Sequence, residues 1–301
     1  MDTSFPSSIP RITPEQLAAR TGRADTPLLL DVRKKARFEE SARMLAGARR
    51  CAPEDVAAWA AAGPPREVVV YCVYGHHTSA DAVTRLRAAG WDAWLLAGGM
   101  EGGEDGVDKP ADTAQWRAWP LPSMRKRPDW GVAGERPSRW ITRERPKIDR
   151  IACPWLIRRF IDARAEFFYV PAEQVFTDSE RLGAVAYDIP GAAVSHEGEY
   201  CSFDALLAAF DLRDAALGRL ARIVRGADTD RLGLAPESAG LLALSLGLSQ
   251  LHADDHSMLE AALPLYDALY ARCQSTAAAQ WQGREPEKHG WQTGAVLQGG
   301  R

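Results

Sequence analysis

The sequence predicts an α/β domain, a parallel sheet flanked by helices, followed by a mainly helical α+β domain. Three observations carry that expectation. Short apolar runs alternate with helical patterns from about residue 10 to 105, the order of a parallel sheet with helical crossovers. Beyond Arg139 helical periodicity dominates, with one clear strand. The chain has 301 residues, and domains run at about 100 to 200 residues each, so two fit.

Thr13 is placed to cap a short helix opening at Pro14-Glu15, because proline suits the first helical turn and a hydroxyl can accept from its free N–H groups. Leu28-Leu29-Leu30 leads into Asp31-Val32-Arg33, an apolar run of the kind buried on both faces. A helix fits Asp55-Val56-Ala57-Ala58-Trp59-Ala60 and is stopped by Gly63-Pro64-Pro65. Val68-Val69-Val70-Tyr71 is the strongest strand signal in the chain, and it runs directly into Cys72. Over 79–89, Ala80, Val83, Leu86 and Ala89 recur at three-residue steps, an amphipathic helix ending at Gly90. A strand at Ala93-Trp94-Leu95-Leu96 ends in Gly98-Gly99.

Residues 1–105 thus make the first domain. Residues 106–138 turn to Gly, Pro and mixed charge with Trp116, Trp119 and Trp130, which reads as a linker lying on a surface. Residues 139–275 make the second domain. It holds a helix at Trp155-Leu156-Ile157-Arg158-Arg159-Phe160-Ile161 opened by Pro154, and a strand at Glu166-Phe167-Phe168-Tyr169-Val170. Helices follow over 203–210, 215–225 and 236–273, the last expected as two, broken near His252 to His256 or at Pro264. Residues 276–301 lack periodicity and are expected to be a flexible tail unless Trp281 or Trp291 docks.

With 46% apolar and 26% charged residues the composition is that of an ordinary globular chain and excludes fibrous or low-complexity classes. Apolar runs such as 68–74 fall far short of the roughly 20 residues a bilayer span needs, so no membrane partner is expected. Residues 1–11 carry Pro6 and Pro10 where a secretion signal needs a basic start and an apolar stretch, which points to the cytoplasm. Five cysteines (Cys51, Cys72, Cys153, Cys201, Cys273) without CxxC spacing suggest neither a disulfide framework nor a zinc ribbon. A net charge of -3 argues against nucleic acid as the main partner, although residues 125–150 hold nine Lys or Arg against four acids.

Cys72 stands between a strand and a helix, where unpaired N–H groups and the positive end of the helix dipole stabilise a thiolate or a bound oxyanion. Gly75 permits a tight turn, so Val73, Tyr74, Gly75, His76, His77 and Thr78 can wrap one anionic group, with hydroxyls from Thr78 and Ser79. His76 and His77 add partial positive charge. The plain alternative is an inert cysteine at a strand end. A phosphatase-type Cys-x5-Arg loop would need an arginine where Thr78 stands. Cys72, Gly75 and Thr78, together with the earlier Asp31-Val32-Arg33 and the later Ala97-Gly98-Gly99-Met100, resemble the rhodanese-like sulfurtransferases over roughly residues 10–105. The resemblance implies that Cys72 takes a sulfane sulfur from a donor such as thiosulfate, holds it as a persulfide and passes it to a thiophilic acceptor. A small thiol or sulfane-sulfur compound is then the expected substrate.

In the second domain, the run from Trp140-Ile141-Thr142-Arg143 through Ile148-Asp149-Arg150-Ile151-Ala152-Cys153-Pro154-Trp155 resembles the chromate-resistance ChrB family. So do Asp188-Ile189-Pro190-Gly191, Ser195-His196-Glu197-Gly198, Cys201-Ser202-Phe203-Asp204, Arg225-Gly226-Ala227-Asp228-Thr229-Asp230-Arg231 and Tyr266-Asp267-Ala268-Leu269-Tyr270, in that order. This resemblance implies a role in chromate resistance, as sensor-regulator or accessory factor, and makes an oxyanion an expected partner. Within these blocks isolated charges lie beside apolar stretches, where they are costly unless paired or metal-bound. Two readings stand open: structural Arg–Asp pairs, with Asp149, Arg158, Arg159 and Asp230 as a polar site, or a divalent transition-metal site of His196, Asp228 and His256. Imidazole with carboxylate suits zinc, iron or manganese. His252 and His256, four apart, would share one helix face.

The functional expectation is an enzyme, a sulfurtransferase forming a Cys72 persulfide and fused to a ChrB-type domain. The alternative is a chromate-responsive sensor or transcriptional regulator without turnover. A DNA-binding regulator needs a helix-turn-helix with a basic recognition helix, and none is clear before Cys72.

Overall fold

The computed structural model describes residues 9–281, with side chains described to residue 275. Residues 1–8 and the part of the expected tail beyond 281 lie outside the described residues. The first domain runs β1 (Arg11–Ile12), α1 (Pro14–Ala18), β2 (Leu28–Asp31), α2 (Lys35–Glu40), β3 (Arg43–Leu45), β4 (Arg49–Arg50), α3 (Val56–Ala61), β5 (Glu67–Tyr71), α4 (His77–Ala88) and β6 (Asp92–Leu96). Thr13 does cap α1: its hydroxyl accepts from the Gln16 N–H, and Gln16 Oε1 accepts from the Thr13 N–H at 2.9 Å. Five strands form a parallel sheet in the order β1-β6-β5-β2-β4.

Side chains alternate along a strand, so this sheet has two faces to cover. Leu28, Leu30, Val68 and Val70 face α3 and α4, where Val56, Ala60, Val83 and Leu86 bury them. Leu29, Val69 and Tyr71 face the other way, and their core is continuous with Met44, Met124, Trp140, Ile148, Trp155 and Phe160. Much of that second layer comes from outside the first domain. The two domains therefore share apolar surface that neither would bury by itself.

Residues 106–138, expected as a linker lying on a surface, are held against the rest of the fold. They contain α5 (Pro110–Arg117) and β7 (Ser123–Arg125), which pairs antiparallel with β3 through Met44 and Met124. Met124 and Val132 are buried, and Trp130 packs edge-on against Trp140 and Phe210 with ring centres 6.2 and 5.8 Å apart. Burial of these apolar side chains is what converts the segment into a strap. It is held to the second domain by the Arg125 N–H, which donates to the Phe210 carbonyl at 2.7 Å.

The second domain contains β8 (Arg139–Arg143), α6 (Asp149–Leu156), β9 (Glu166–Val170), α7 (Val175–Leu182), β10 (Val185–Ala186), α8 (Ser202–Ala209), α9 (Ala215–Asp228), α10 (Ser238–Leu251) and α11 (Asp255–Trp281). A small parallel sheet in the order β10-β8-β9 leaves helices to form most of the domain. The helix expected to open at Pro154 begins earlier, at Asp149, with Pro154 inside α6 and a π-helical turn over Ile157–Ile161. Pro154 has no N–H for the Arg150 carbonyl, which accepts instead from the Tyr187 hydroxyl at 3.4 Å. The long helical stretch breaks at 252–254, while α11 passes through Pro264 unbroken.

Arg43 of β3 forms an ion pair with Asp211 of the second domain. At Gly22 (φ 79°) an added Cβ would lie 2.3 Å from Phe160 Cζ and 2.9 Å from a Tyr270 ring carbon. Those rings belong to a cluster with Trp155, 5.9 and 5.5 Å from their centres. Gly22→Ala is therefore expected to destabilise the whole chain by about 1–3 kcal/mol, from overpacking and a left-handed backbone. Urea denaturation followed by tryptophan fluorescence would measure it.

Candidate functional site

Strand β5 ends at Tyr71 and α4 begins at His77, so Cys72 opens a short loop at the carboxyl end of a central strand. In open α/β sheets that end is where ligands bind. Gly75 has φ 77°, and a Cβ there would sit 2.7 Å from the Leu96 carbonyl oxygen and 2.8 Å from the Gly99 nitrogen. Gly99 (φ 59°) is the reciprocal position, where a Cβ would lie 2.4 Å from the Gly75 nitrogen and 2.7 Å from the Cys72 carbonyl oxygen. These two glycines let the β6 exit close on the loop. The Met100 N–H donates to the Cys72 carbonyl at 3.0 Å, and the Glu101 N–H to the Val73 carbonyl at 2.9 Å.

With those carbonyls engaged, the loop keeps its donors. The N–H groups of Val73, Tyr74, Gly75 and Thr78 donate to no acceptor among the described residues. Cys72 is 6% exposed, and its Sγ lies 3.1 Å from Ser79 Oγ. The hydroxyl beside the sulfur is thus that of Ser79, one residue beyond the Thr78 of the sequence pattern. His76 Nε2 is 2.9 Å from Asp108 Oδ2 and Nδ1 is 3.5 Å from Glu104 Oε2, which holds this ring against carboxylates. His77 is exposed on the first turn of α4.

Asp31 and Arg33 form a fully buried ion pair at 2.6 Å, and the Tyr71 hydroxyl donates to Asp31 Oδ2 at 2.9 Å. Arg33, Arg50 and Lys126 gather on the Phe38 ring, 5.3, 4.6 and 3.9 Å from its centre. Burial, then the Arg33 charge, lowers the Lys126 pKa. This basic group lies at the carboxyl ends of β2 and β4, the end of the sheet that carries Cys72. Lys126 comes from the strap, so the basic group at this end of the sheet requires the segment that joins the domains.

A second constellation lies in the second domain. His196 Nε2 is 3.1 Å from Asp228 Oδ2, 3.4 Å from Asp188 Oδ1 and 3.6 Å from Asp149 Oδ2. Donor atoms around a tetrahedral ion at 2.0–2.1 Å stand roughly 3.3 Å apart, so this spacing suits one. Asp149 is wholly buried and accepts from the Ser202 and Phe203 N–H groups at the start of α8. Its carboxyl is held well above the usual carboxylate range by burial, then by the charges of Asp228 and Asp188. Burial and Asp188 raise Asp228 too, with His196 acting in the opposite sense. Arg150 and Arg143 both pair with Asp188, at 3.2 and 3.4 Å, and leave the other two acids to the imidazole. His196 is 41% exposed, which opens the cluster to solvent on one side.

Among the residues expected to act here, the structure brings His196 and Asp228 together and adds Asp149 in place of His256. His256 is absent from the cluster because the chain breaks at 252–254 and restarts at Asp255, which sets its ring edge-on to Tyr169 at 5.3 Å. His252 and His256 accordingly share no helix. Arg158 and Arg159 do not join Asp149 in one polar site: they pair with Glu260 and Asp267 on α11. Asp230 is exposed on a turn with φ 55°. The member that sequence reasoning missed is Asp188, also at positive φ (51°), whose signal was the Asp-Ile-Pro-Gly turn. Burial pushes the Cys51 and Cys273 thiols up to about 11 and raises those of Cys153 and Cys201 as well.

Residues 13–105 match the family model of the rhodanese-like domain, and residues 140–273 match that of the ChrB C-terminal domain. The first part of the chain is thus similar to a rhodanese-like domain and the second to a ChrB C-terminal domain. The Cys72 loop lies within the first, and the Asp149–His196–Asp228 cluster within the second. The chain is 34% identical over 155 residues to Protein ChrB of Cupriavidus metallidurans, a match covering 48% of this chain and 46% of that protein. The match thus spans about half the length of the relative. A crystal structure of a rhodanese-like domain protein from Staphylococcus aureus is similar over 33% of this chain and 97% of its own, at 24% identity and a TM-score of 0.29.

Proposed function

We propose that the chain is a sulfurtransferase in which Cys72 carries a sulfane sulfur as a persulfide, joined to a ChrB C-terminal domain that holds a divalent transition metal. The observation that carries the first part is the Cys72 loop: a cysteine at a strand end beside unpartnered backbone N–H groups, in a fold closed by Gly75 on Gly99. Such groups stabilise negative charge on a sulfur or a bound oxyanion without reorganising. The Cys72 thiolate attacks the outer sulfur of thiosulfate, the S–S bond breaks, and sulfite leaves with the electron pair. An acceptor thiolate or cyanide then attacks the terminal sulfur of the persulfide and restores the Cys72 thiolate. Arg50 and Lys126 favour the approach of an anionic donor.

The Asp149–His196–Asp228 spacing, the raised carboxyl pKa values and the open face at His196 support the metal reading. A cation there relieves the repulsion among three acids. Zinc, iron and manganese accept such a donor set. The resemblance to ChrB supports placing this chemistry in resistance to chromate and related oxyanions. A free thiol at Cys72 fits a reducing cytoplasm. Among the described residues, no helix is long and apolar enough to cross a membrane.

Cys72→Ser is expected to lower thiosulfate-to-cyanide sulfur transfer by about a thousandfold or more, because the hydroxyl is far harder to ionise. Wild-type turnover in that variant, with an unchanged circular dichroism spectrum, would contradict the assignment. Elemental analysis is expected to find roughly one transition metal per chain. His196→Ala should lose that metal together with its stabilisation, about 2.7 kcal/mol when free metal stands at 100 times Kd. A wild-type protein that stays metal-free after incubation with zinc, iron(II) and manganese would favour structural pairing alone.

A further inference from the structure

The domains also meet at the amino ends of the sheet strands. There a cavity of about 140 Å³ is lined by Arg23, Arg49 and Arg66 of the first domain and Arg158 and Arg159 of the second. Leu28, also in its wall, opens β2, Arg49 opens β4 and Arg66 precedes β5, whereas Cys72 follows β5. Five strand residues separate the two ends of β5, roughly 16 Å at 3.3 Å each. Neither Cys72 nor the acid–imidazole cluster lines this cavity.

Three of these arginines have carboxylates. Arg23 pairs with Asp25 at 3.1 Å, Arg158 with Glu260, and Arg159 grips Asp267 through two bonds of 2.8 Å. Arg164, whose charge acts on Arg49, is held by Asp162 at 3.1 Å. Arg49 and Arg66 differ. Among the described residues neither guanidinium has an ion pair or a side-chain hydrogen bond. Five lining arginines thus meet three carboxylates, an excess of two positive charges at a cavity with room for several waters. Arg49 is half-buried, and its burial, then the like charges of Arg164 and Arg66, brings its pKa down to about 10 against the weaker opposing charge of Asp162. A cation so placed is costly without a counter-charge.

We propose that this cavity binds a small tetrahedral dianion of the sulfate or phosphate class between Arg49 and Arg66. Guanidinium forks take oxyanion oxygens two at a time, which suits such a ligand better than chloride. Arg158, Arg159 and Ala163 complete the wall from the second domain, so an occupied site bridges the two halves. The proposal does not rest on the sulfurtransferase reading.

Isothermal titration of the full chain with sodium sulfate and, separately, sodium phosphate, at constant ionic strength set by sodium chloride, tests it. Saturable binding of at least one of the two, at a site that both arginine variants below weaken, is expected, and the tighter identifies the ligand. Affinity should fall about tenfold or more in Arg49→Gln, and equally in the exposed Arg66→Gln, which carries little risk to folding. Cys72→Ser should bind as the wild type does, so loss of sulfur transfer and loss of anion binding remain separable. The absence of saturable binding of either anion, or binding undiminished in both arginine variants, would overturn the proposal.

Discussion

A buried ion pair inside a shared core sets the terms for this molecule. Asp31 and Arg33 are both out of water, and such charges are tolerated only when each finds several partners. Asp31 takes the Tyr71 hydroxyl, Tyr71 accepts from the Leu45 N–H at 3.2 Å, and Arg33 donates to the Arg43 carbonyl at 2.9 Å. That network fixes β3 over the carboxyl end of the sheet. The strap strand pairs with β3, and Arg43 reaches Asp211. Satisfying one buried carboxylate therefore locates the Cys72 end of the sheet, the strap and the second domain relative to one another.

The consequences are functional because the domains are not beads on a string. Leu29, Val69 and Tyr71 bury themselves in a core completed by Trp140, Trp155 and Phe160. The basic group at the carboxyl end of the sheet borrows Lys126 from the strap, and the arginine cavity at the opposite end of the strands takes two of its arginines from the second domain. A change in either half is felt in the other through packed side chains of low compressibility. The acid–imidazole cluster belongs to the second domain alone, drawn from α6, α9 and the loops around Asp188 and His196.

The first domain was largely legible in the sequence because its signals are local. The β5 run, Cys72, Gly75 and the helix behind them follow from residue type and period, and in the second domain the strand Glu166–Val170 emerged at its full length. In the strap only the tryptophans signalled a segment lying on a surface, and the pairing of β7 did not show. Its apolar residues are few, and Met124 is worth burying only once β3 supplies a partner. The start of α6 was obscured by Pro154, which reads as a helix opener yet sits inside one because Tyr187, far along the chain, serves the carbonyl it leaves. His256 and Asp149 exchanged places for a similar reason. Spacing tells which residues share a helix face, but the convergence of three separate segments on His196 depends on tertiary packing.

The central claim is that Cys72 accepts and carries sulfur. Intact-protein mass spectrometry after incubation with thiosulfate and removal of the excess tests it directly. The account predicts a gain of one sulfur atom, mapped by peptide analysis to Cys72 and to none of Cys51, Cys153, Cys201 and Cys273, and lost again on adding cyanide. An unchanged mass, or sulfur distributed over the other thiols, would contradict it.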